Sequence, residues 1–398
     1  MLSENVLKNL KNASWIRAMF EEGERLRGLH GDDKVFDFTL GNPDHEPPKS
    51  VKDSLKEIVL GDKPGIHRYM NNAGYADVRQ KVADHINNKN NTNLQGKHII
   101  MTCGAAGGLN VVLKSILNPG EEVIILAPFF PEYIFYVGNH GGKPIIVPPT
   151  TGGFEPNLKI FEESINQNTK AVILNSPNNP SGYVYSKKTL MDISQILSQK
   201  EKQYGTSICI LSDEPYNELV YDGIELPSIL NIFKNSFIIN SFSKSLALPG
   251  ERIGYIAVNP NIPDIEPAIE SLVFCNRTLG YVNAPATFQK VISESLDEDI
   301  DIGTYETRRN MMYNNLTNLG FTCFKPMGAF YFFPQSPIKD DIKFVNDALK
   351  YNLLLVPGTG FGLPGHFRIS YCVNIETIEN SFGAFASLAK DYKLKINI

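Results

Sequence analysis

Nowhere in its 398 residues does this chain run for about 18 apolar residues in succession, so the sequence predicts no membrane span. Cysteine is scarce: Cys103, Cys209, Cys275, Cys323 and Cys372 are an odd number, widely spread, with no C-x-x-C pair. That pattern argues against a disulfide framework or a zinc site and predicts reduced thiols in a cytosolic, hence cytoplasmic, protein. A basic cluster is missing too, and the formal net charge of −5 argues against nucleic acid as a partner. Neither G-x-x-x-x-G-K-S/T nor a full G-x-G-x-x-G occurs, which disfavours nucleotide binding. The first residues, MLSENVLKNLKNASWIRAMFEEGERL, lack an apolar core region and predict an amphipathic helix rather than a signal peptide. There is no internal repeat and no low-complexity tract.

What is present is an ordinary globular composition, 42% hydrophobic and 20% charged, with length enough for two domains. Six short apolar runs read as buried strands: 98–102, 122–127, 171–175, 207–212, 236–241 and 252–258. Amphipathic segments such as NLKIFEESINQ and TLMDISQILSQKEKQYG lie between most of them. Alternating strands and helices predict an α/β domain with a mostly parallel sheet, placed at residues 45–285. Residues 1–44 and 286–398 predict a smaller α+β domain, with long connecting helices in EPAIESLVFCNRTLGYVNAPATFQKVISESL. The Pro-rich LGNPDHEPPKSV reads as the link from the N-terminal segment to the large domain.

The most informative stretch is SFSKSLALPGERIGYI (241–256). An amine on a tight Ser-rich turn can condense with an aldehyde. Ser241, Ser243 and Arg252 supply hydroxyl donors and a guanidinium fork for a phosphate, with Pro249 and Gly250 turning the chain between them. The cofactor with both groups is pyridoxal 5′-phosphate. A lone Lys244 would more often be a surface lysine. Other parts of the chain fit the same cofactor, and they fall where strands end, the usual ligand edge of an open α/β sheet. Asp213 follows SICILS and can bond a protonated pyridine nitrogen, although in isolation it equally suits a helix N-cap. Tyr216 can donate to the cofactor's phenolic oxygen, as can an Asn in LNSPNNPSGYVY, Asn175 or Asn179. The turn TCGAAGGLN opens a helix and lets backbone N–H groups approach a phosphate. In APFFPEY, Phe130 can stack on a pyridine ring, though a single Phe more often only packs a core. Arg368, in GHFRISYCV, is a natural clamp for an α-carboxylate.

Taken in order, LGNP, RYMNNAG, TCGAA, NSPNNPSG, SDEPY, SFSKSLALPGERIGY and FRISY resemble the fold-type I, class I and II aminotransferases of the aspartate aminotransferase superfamily. The resemblance spans essentially the whole chain. It implies a mostly parallel seven-stranded sheet flanked by helices, a smaller second domain and pyridoxal 5′-phosphate as cofactor. It implies transfer of an amino group between an amino acid and a 2-oxo acid in two half-reactions. By the same resemblance Lys244 is the Schiff-base lysine and general base, and Asp213 the pyridinium partner. Asn179 and Tyr216 are then the phenolic-oxygen partners. Ser241, Arg252 and the backbone of Gly104, Ala105 and Ala106 form the phosphate cup. Arg368 clamps the α-carboxylate, with Gly41 and Asn179 nearby. Tyr69 resembles a tyrosine that crosses a homodimer interface to the neighbouring phosphate.

The departures are small: Phe130 where Trp or Tyr is frequent, Pro-Ser-Gly after Asn179 where Pro-Thr-Gly is usual, and Gly107 and Gly108 softening the helix start. The substrate is less legible. Arg277 can pair a side-chain carboxylate of aspartate or glutamate from a neighbouring subunit, or only support the phosphate or the interface. His67, Arg68 and Asn71 flank Tyr69 with the same two readings. Phe129, Phe130, Tyr133 and Phe330 would suit an aromatic side chain, and alanine is a further expected donor. A C–S β-lyase would share the whole cofactor site. A cofactor-sensing regulator would need a basic helix-turn-helix segment, which the sequence lacks before its first strand.

Overall fold

In the computed structural model, which describes residues 2–12, 14–61, 64–298 and 300–395, the Ile- and Val-rich runs line up in one seven-stranded sheet. Its strands are β1 (Ile99–Thr102), β2 (Glu122–Leu126), β3 (Lys143–Val147), β4 (Thr169–Asn175), β5 (Cys209–Asp213), β6 (Ser236–Ser241) and β7 (Gly254–Val258). The spatial order is β1-β7-β6-β5-β4-β2-β3. All neighbours run parallel except β7, which is antiparallel to both β1 and β6.

The composition explains the layering. Every residue of β1, β6 and β7 is buried, as expected for strands covered on both faces. On one face Leu109, Val112 and Leu113 of helix Gly104–Ile116 pack against Ile239, Ile256 and Val258. On the other, Ile193 and Leu197 of helix Lys187–Tyr204 meet Ile124, Val172 and Ile210. Helix Ala76–Asn90 brings Val78, Val82 and Ile86 onto Ile99, Met101 and Ala257.

Three local expectations change. β3 is not among the six apolar runs: it contains Pro144, and Ile146 is partly exposed. Both features are tolerated because β3 is an edge strand. Asp213 is the last residue of β5 rather than the residue after it. Arg252 lies outside β7, because its φ of 52° is left-handed and breaks the extended run.

A second, smaller assembly completes the molecule. Strand Phe367–Ser370 pairs antiparallel with Tyr331–Phe332 and Val356–Pro357. Phe36–Asp37 pairs parallel with Leu353–Leu354, so an N-terminal segment joins elements more than 300 residues away in sequence. Helices Ile302–Asn318 and Ile375–Asp391 close over Phe38, Phe330, Phe332, Phe344, Phe367 and Phe385. The Ser370 amide donates to the Phe38 carbonyl, 2.9 Å away. That bond lays residues 39–41 beside Arg368 and over the carboxyl edge of the large sheet. The long connector contains helices Ile265–Thr278 and Ala286–Ile292. No helix among the described residues is long and apolar enough to cross a membrane.

Candidate active site

The carboxyl ends of the parallel strands and the strip 39–41 enclose a cavity of about 340 Å³. Asp213 reaches it from the end of β5, and its side chain is buried. The Tyr133 hydroxyl donates to its Oδ2 at 2.5 Å, while Oδ1 has no partner. Asn175, at the end of β4, donates its amide to the Asp213 carbonyl at 2.9 Å and fixes the backbone there. Burial pushes the Asp213 carboxyl up to about 7, against the opposing pull of the Tyr133 hydrogen bond.

Lys244 stands on the single-turn helix Phe242–Ser245, directly after β6. Its stem is half-buried and its Nζ donates to the Gly41 carbonyl at 2.5 Å, 5.5 Å from the centre of the Phe330 ring. Burial draws this amine down to about 8; the nearby Cys372 thiol opposes the shift, and Arg252 and Arg368 add to it. An amine so shifted is uncharged in appreciable fraction near neutral pH, which a nucleophile requires.

The left-handed turn at Arg252 aims its guanidinium back over the start of helix Gly104–Ile116. Nη1 donates to the Pro249 carbonyl at 3.0 Å. Gly104 has φ +71°, and a Cβ there would lie 2.6 Å from Arg252 Nη2. The left-handed backbone there disfavours any side chain, and a Cβ would push the Arg252 guanidinium from its place. The result is a cradle of one guanidinium, the hydroxyls of Ser241 and Ser243, and the free N–H groups that open a 13-residue helix at Gly104, Ala105 and Ala106. Such an arrangement suits a phosphate.

At the other end Arg368 projects from strand Phe367–Ser370. Its guanidinium lies between the rings of Tyr331 and Phe361, 4.8 and 4.7 Å from their centres. Nη1 donates to Asn179 Oδ1 at 3.1 Å, Nη2 donates to the Thr39 carbonyl, and Nε is unpartnered. Among the described residues no carboxylate stands within ion-pair distance of it. Glu132 acts on this cation electrostatically without pairing with it; a fully buried cation lacking a paired anion is costly, and a substrate carboxylate would correct that.

The cavity therefore gathers Lys244, Asp213, Tyr216, Asn179, Arg252 and Arg368, together with Gly41, Phe130, Ser241, Ser243, Ala105 and Ala106. Gly104 adjoins it through Arg252. Tyr69 is 92% exposed and stands apart from this cavity. Arg277 is also outside, over the Phe274 ring on helix Ile265–Thr278, and His67, Arg68 and Asn71 are exposed. Of the four aromatics that would suit an aromatic substrate, Phe130 and Tyr133 line the cavity, whereas Phe129 and Phe330 are buried in the hydrophobic core. A wider cleft of about 760 Å³ near Tyr75 and Lys290 collects none of these groups.

Some participants are not legible in the sequence. Tyr133 reads there only as an aromatic, yet it holds Asp213. Tyr331 places its hydroxyl 2.9 Å from that of Tyr216, and no local motif marks it. Glu132 lines the cavity with Oε2 unpartnered; its place beside Phe130 is the one signal that could have found it. A buried reactive amine, an anion cradle, one free carboxylate oxygen and one unpaired guanidinium form a set that fits a phosphorylated pyridine aldehyde and a carboxylate-bearing substrate.

Comparison with known proteins agrees. Residues 33–385 match the family model "Aminotransferase class I and II". The aromatic-amino-acid aminotransferase 2 of Thermococcus litoralis is 31% identical, over 96% of this chain and 97% of that protein. The aspartate aminotransferase of Thermotoga maritima is 31% identical, over 87% and 89%. A crystal structure of an amino transferase from Eubacterium rectale superimposes with TM-score 0.95 at 39% identity, covering 98% and 99% of the two chains. Thermus thermophilus aspartate aminotransferase with maleate gives TM-score 0.84 at 26% identity, covering 94% and 96%. These relatives favour amino transfer over the C–S β-lyase alternative. With the cavity built as described and the match spanning most of its length, the chain belongs to the class I and II aminotransferases.

Proposed function

We propose that the cavity binds pyridoxal 5′-phosphate through Lys244 and that the enzyme uses it to move an amino group from an L-amino acid to a 2-oxo acid. The observation that carries this reading is the pairing of Lys244, an amine drawn down to about 8, with the unpartnered Oδ1 of Asp213 in one cavity.

When bound, the cofactor supplies an aldehyde for the substrate amine and an electron sink for the charge left on the substrate Cα. The protein's residues do the rest. Ser241, Ser243, Arg252 and the N–H groups from Gly104 to Ala106 hold the phosphate. Asp213, through its unpartnered Oδ1, would hold the ring nitrogen and keep a proton there. Tyr216 and Asn179 would donate to the phenolic oxygen, and Phe130 would cover the ring. Arg368 binds the substrate α-carboxylate beside Gly41. Lys244 would hold the cofactor through its aldehyde, and once displaced by the substrate amine its Nζ would be the base that moves the substrate Cα proton. A 2-oxo acid reverses the sequence, giving ping-pong kinetics.

The same proposal includes a homodimer with active sites at the interface, Tyr69 reaching the neighbouring phosphate. The high exposure of Tyr69 in the single chain supports this. It also includes two domains, 45–285 and 1–44 with 286–398, and a cytoplasmic location, which the five unpaired cysteines support.

The test is a half-reaction screen. Purified protein loaded with pyridoxal 5′-phosphate is mixed with single amino acids and its absorbance followed. Conversion to the aminated-cofactor spectrum, with release of the matching 2-oxo acid, is expected. Pyruvate and ammonia from a cysteine conjugate, with the cofactor returned unchanged, would replace this reading with a lyase.

A further inference from the structure

We propose that Glu132 is a specificity-determining residue: it faces the substrate side chain and selects amino donors whose side chains end in an N–H or O–H group over the acidic pair, aspartate and glutamate. This rests on the reading of the cavity as the amino-acid site.

Glu132 is the first residue of helix Glu132–Asn139. A glutamate in a helix's first turn is often no more than a solvated partner for the helix dipole. Here it is turned inward. It lines the cavity, and Oε2 is shut off from solvent without a hydrogen-bond partner. Tyr136, four residues on and so on the same helix face, lines the cavity beside it. The intervening Tyr133 is committed to Asp213. A buried acceptor left open in a binding cavity is one that a ligand donor can satisfy. Burial raises the Glu132 carboxyl, while its own backbone amide and the charge of Arg368 oppose the rise. The group therefore lies within electrostatic reach of the proposed α-carboxylate clamp.

The charge count in the cavity points the same way. Its cationic lining residues are Lys244, Arg252 and Arg368. All three are already engaged, Lys244 with the aldehyde carbon, Arg252 with the phosphate and Arg368 with the α-carboxylate. The turn at Gly104, Ala105 and Ala106 carries no side-chain charge. Among the described residues of this chain, no further cation lines the cavity to meet a second substrate carboxylate, which would enter a space that already holds Glu132. Like charges brought together in a confined site discriminate strongly, and a buried acceptor rewards a donor. A glutamine or asparagine amide, a serine hydroxyl or a cationic side chain answers both conditions.

Single-turnover half-reactions of the holoenzyme with size-matched donors test this. Glutamine is compared with glutamate and asparagine with aspartate, each referred to alanine, whose methyl group has nothing to offer Glu132. The parent enzyme is expected to favour each amide over its acid. In Glu132→Gln the glutamate-to-alanine ratio should rise about tenfold or more. Inhibitory binding of maleate, which does not react, should tighten in step. The inference is overturned if the parent favours the acids, as it would if a second copy supplied a cation. It is also overturned if the ratios in Glu132→Gln stay within about twofold of the parent. Those failures leave amino transfer standing, because the cofactor is still converted. If no amino acid converts the cofactor in the parent, the functional reading falls and takes this one with it. Thermal melting and the bound-cofactor spectrum of the variant check that it remains folded and loaded.

Discussion

The Tyr133 hydroxyl donates a 2.5 Å hydrogen bond to Asp213 Oδ2, and Asp213 Oδ1 remains buried without a partner. One oxygen is thereby fixed by the protein and the other is presented to the cavity. The bond also lowers the Asp213 carboxyl against the upward push of burial. Tyr133→Phe should let it rise above about 7 and leave less carboxylate at neutral pH. Affinity of the apoprotein for pyridoxal 5′-phosphate should fall about tenfold at pH 7, the scale of one hydrogen bond to a charged group. The deficit should narrow toward pH 9, and fluorescence titration across that range reads both effects.

Asp213 should also cost the cofactor-free protein stability. Its carboxyl lies at about 7 in the fold against an ordinary 3.8. The folded state therefore binds more protons than the unfolded chain between those values. Stability from this group is fully present below about pH 4 and is lost as pH rises through about 7. Asp213→Asn removes that loss, on the order of 4 kcal/mol. The variant apoprotein should melt higher than the parent at pH 8 and nearly equal to it at pH 4, while losing turnover. Equal melting at pH 8 would count against the buried-charge account.

Lys244→Ala should abolish both turnover and the visible absorbance of the bound cofactor; full activity in that variant would remove the central assignment. In the parent, capture of pyridoxal 5′-phosphate requires the neutral amine. The capture rate should climb with pH and level off beyond about 8. Stopped-flow absorbance at a series of pH values gives the inflection.

Arg368→Ala should lower kcat/KM for alanine about 100-fold, the loss of roughly 3 kcal/mol of charge-assisted hydrogen bonding. Arg368→Lys should recover little, since an ammonium cannot offer the same planar fork between Tyr331 and Phe361. Alaninamide, which lacks the carboxylate, should be affected far less than alanine. An equal loss for both substrates would place the clamp elsewhere.

Gly41 has a steric reason to be glycine. A Cβ there would overlap the Tyr331 hydroxyl and come within 3.0 Å of Phe330 Cε2. Gly41→Ala should displace the carbonyl that receives the Lys244 amine, slow cofactor capture at least about tenfold and lower stability by about 1–3 kcal/mol. Adding Tyr331→Phe removes the worst contact and should restore part of the stability. Chemical denaturation of the single and double variants measures this.

The parts of this site that are legible in the sequence are the parts made locally. Buried strands of Ile and Val announce themselves, and a turn directly follows each strand end. Lys244, Asp213, Asn179 and the Gly104 turn all lie at or within a few residues of such strand ends. β3 escapes a reading of apolar runs because an edge strand tolerates proline and partial exposure, which blur the run. Tyr331 has no comparable signal, and Gly41 is marked only through the resemblance that LGNP carries. The first bonds Tyr216 across 115 residues and the second receives Lys244 across 203.

By itself, then, the sequence determined the chemistry on offer and the strand ends that carry it, because periodicity and turn residues act over a few positions. Only the tertiary structure decided how those groups are tuned. The Phe36–Asp37 and Leu353–Leu354 pairing and the Ser370–Phe38 bond bring Gly41 and Arg368 over the sheet edge. Burial there lowers the Lys244 amine and raises the Asp213 carboxyl, and the same cavity is lined by Glu132. Desolvation depends on everything packed around a group, and no stretch of neighbouring residues encodes it.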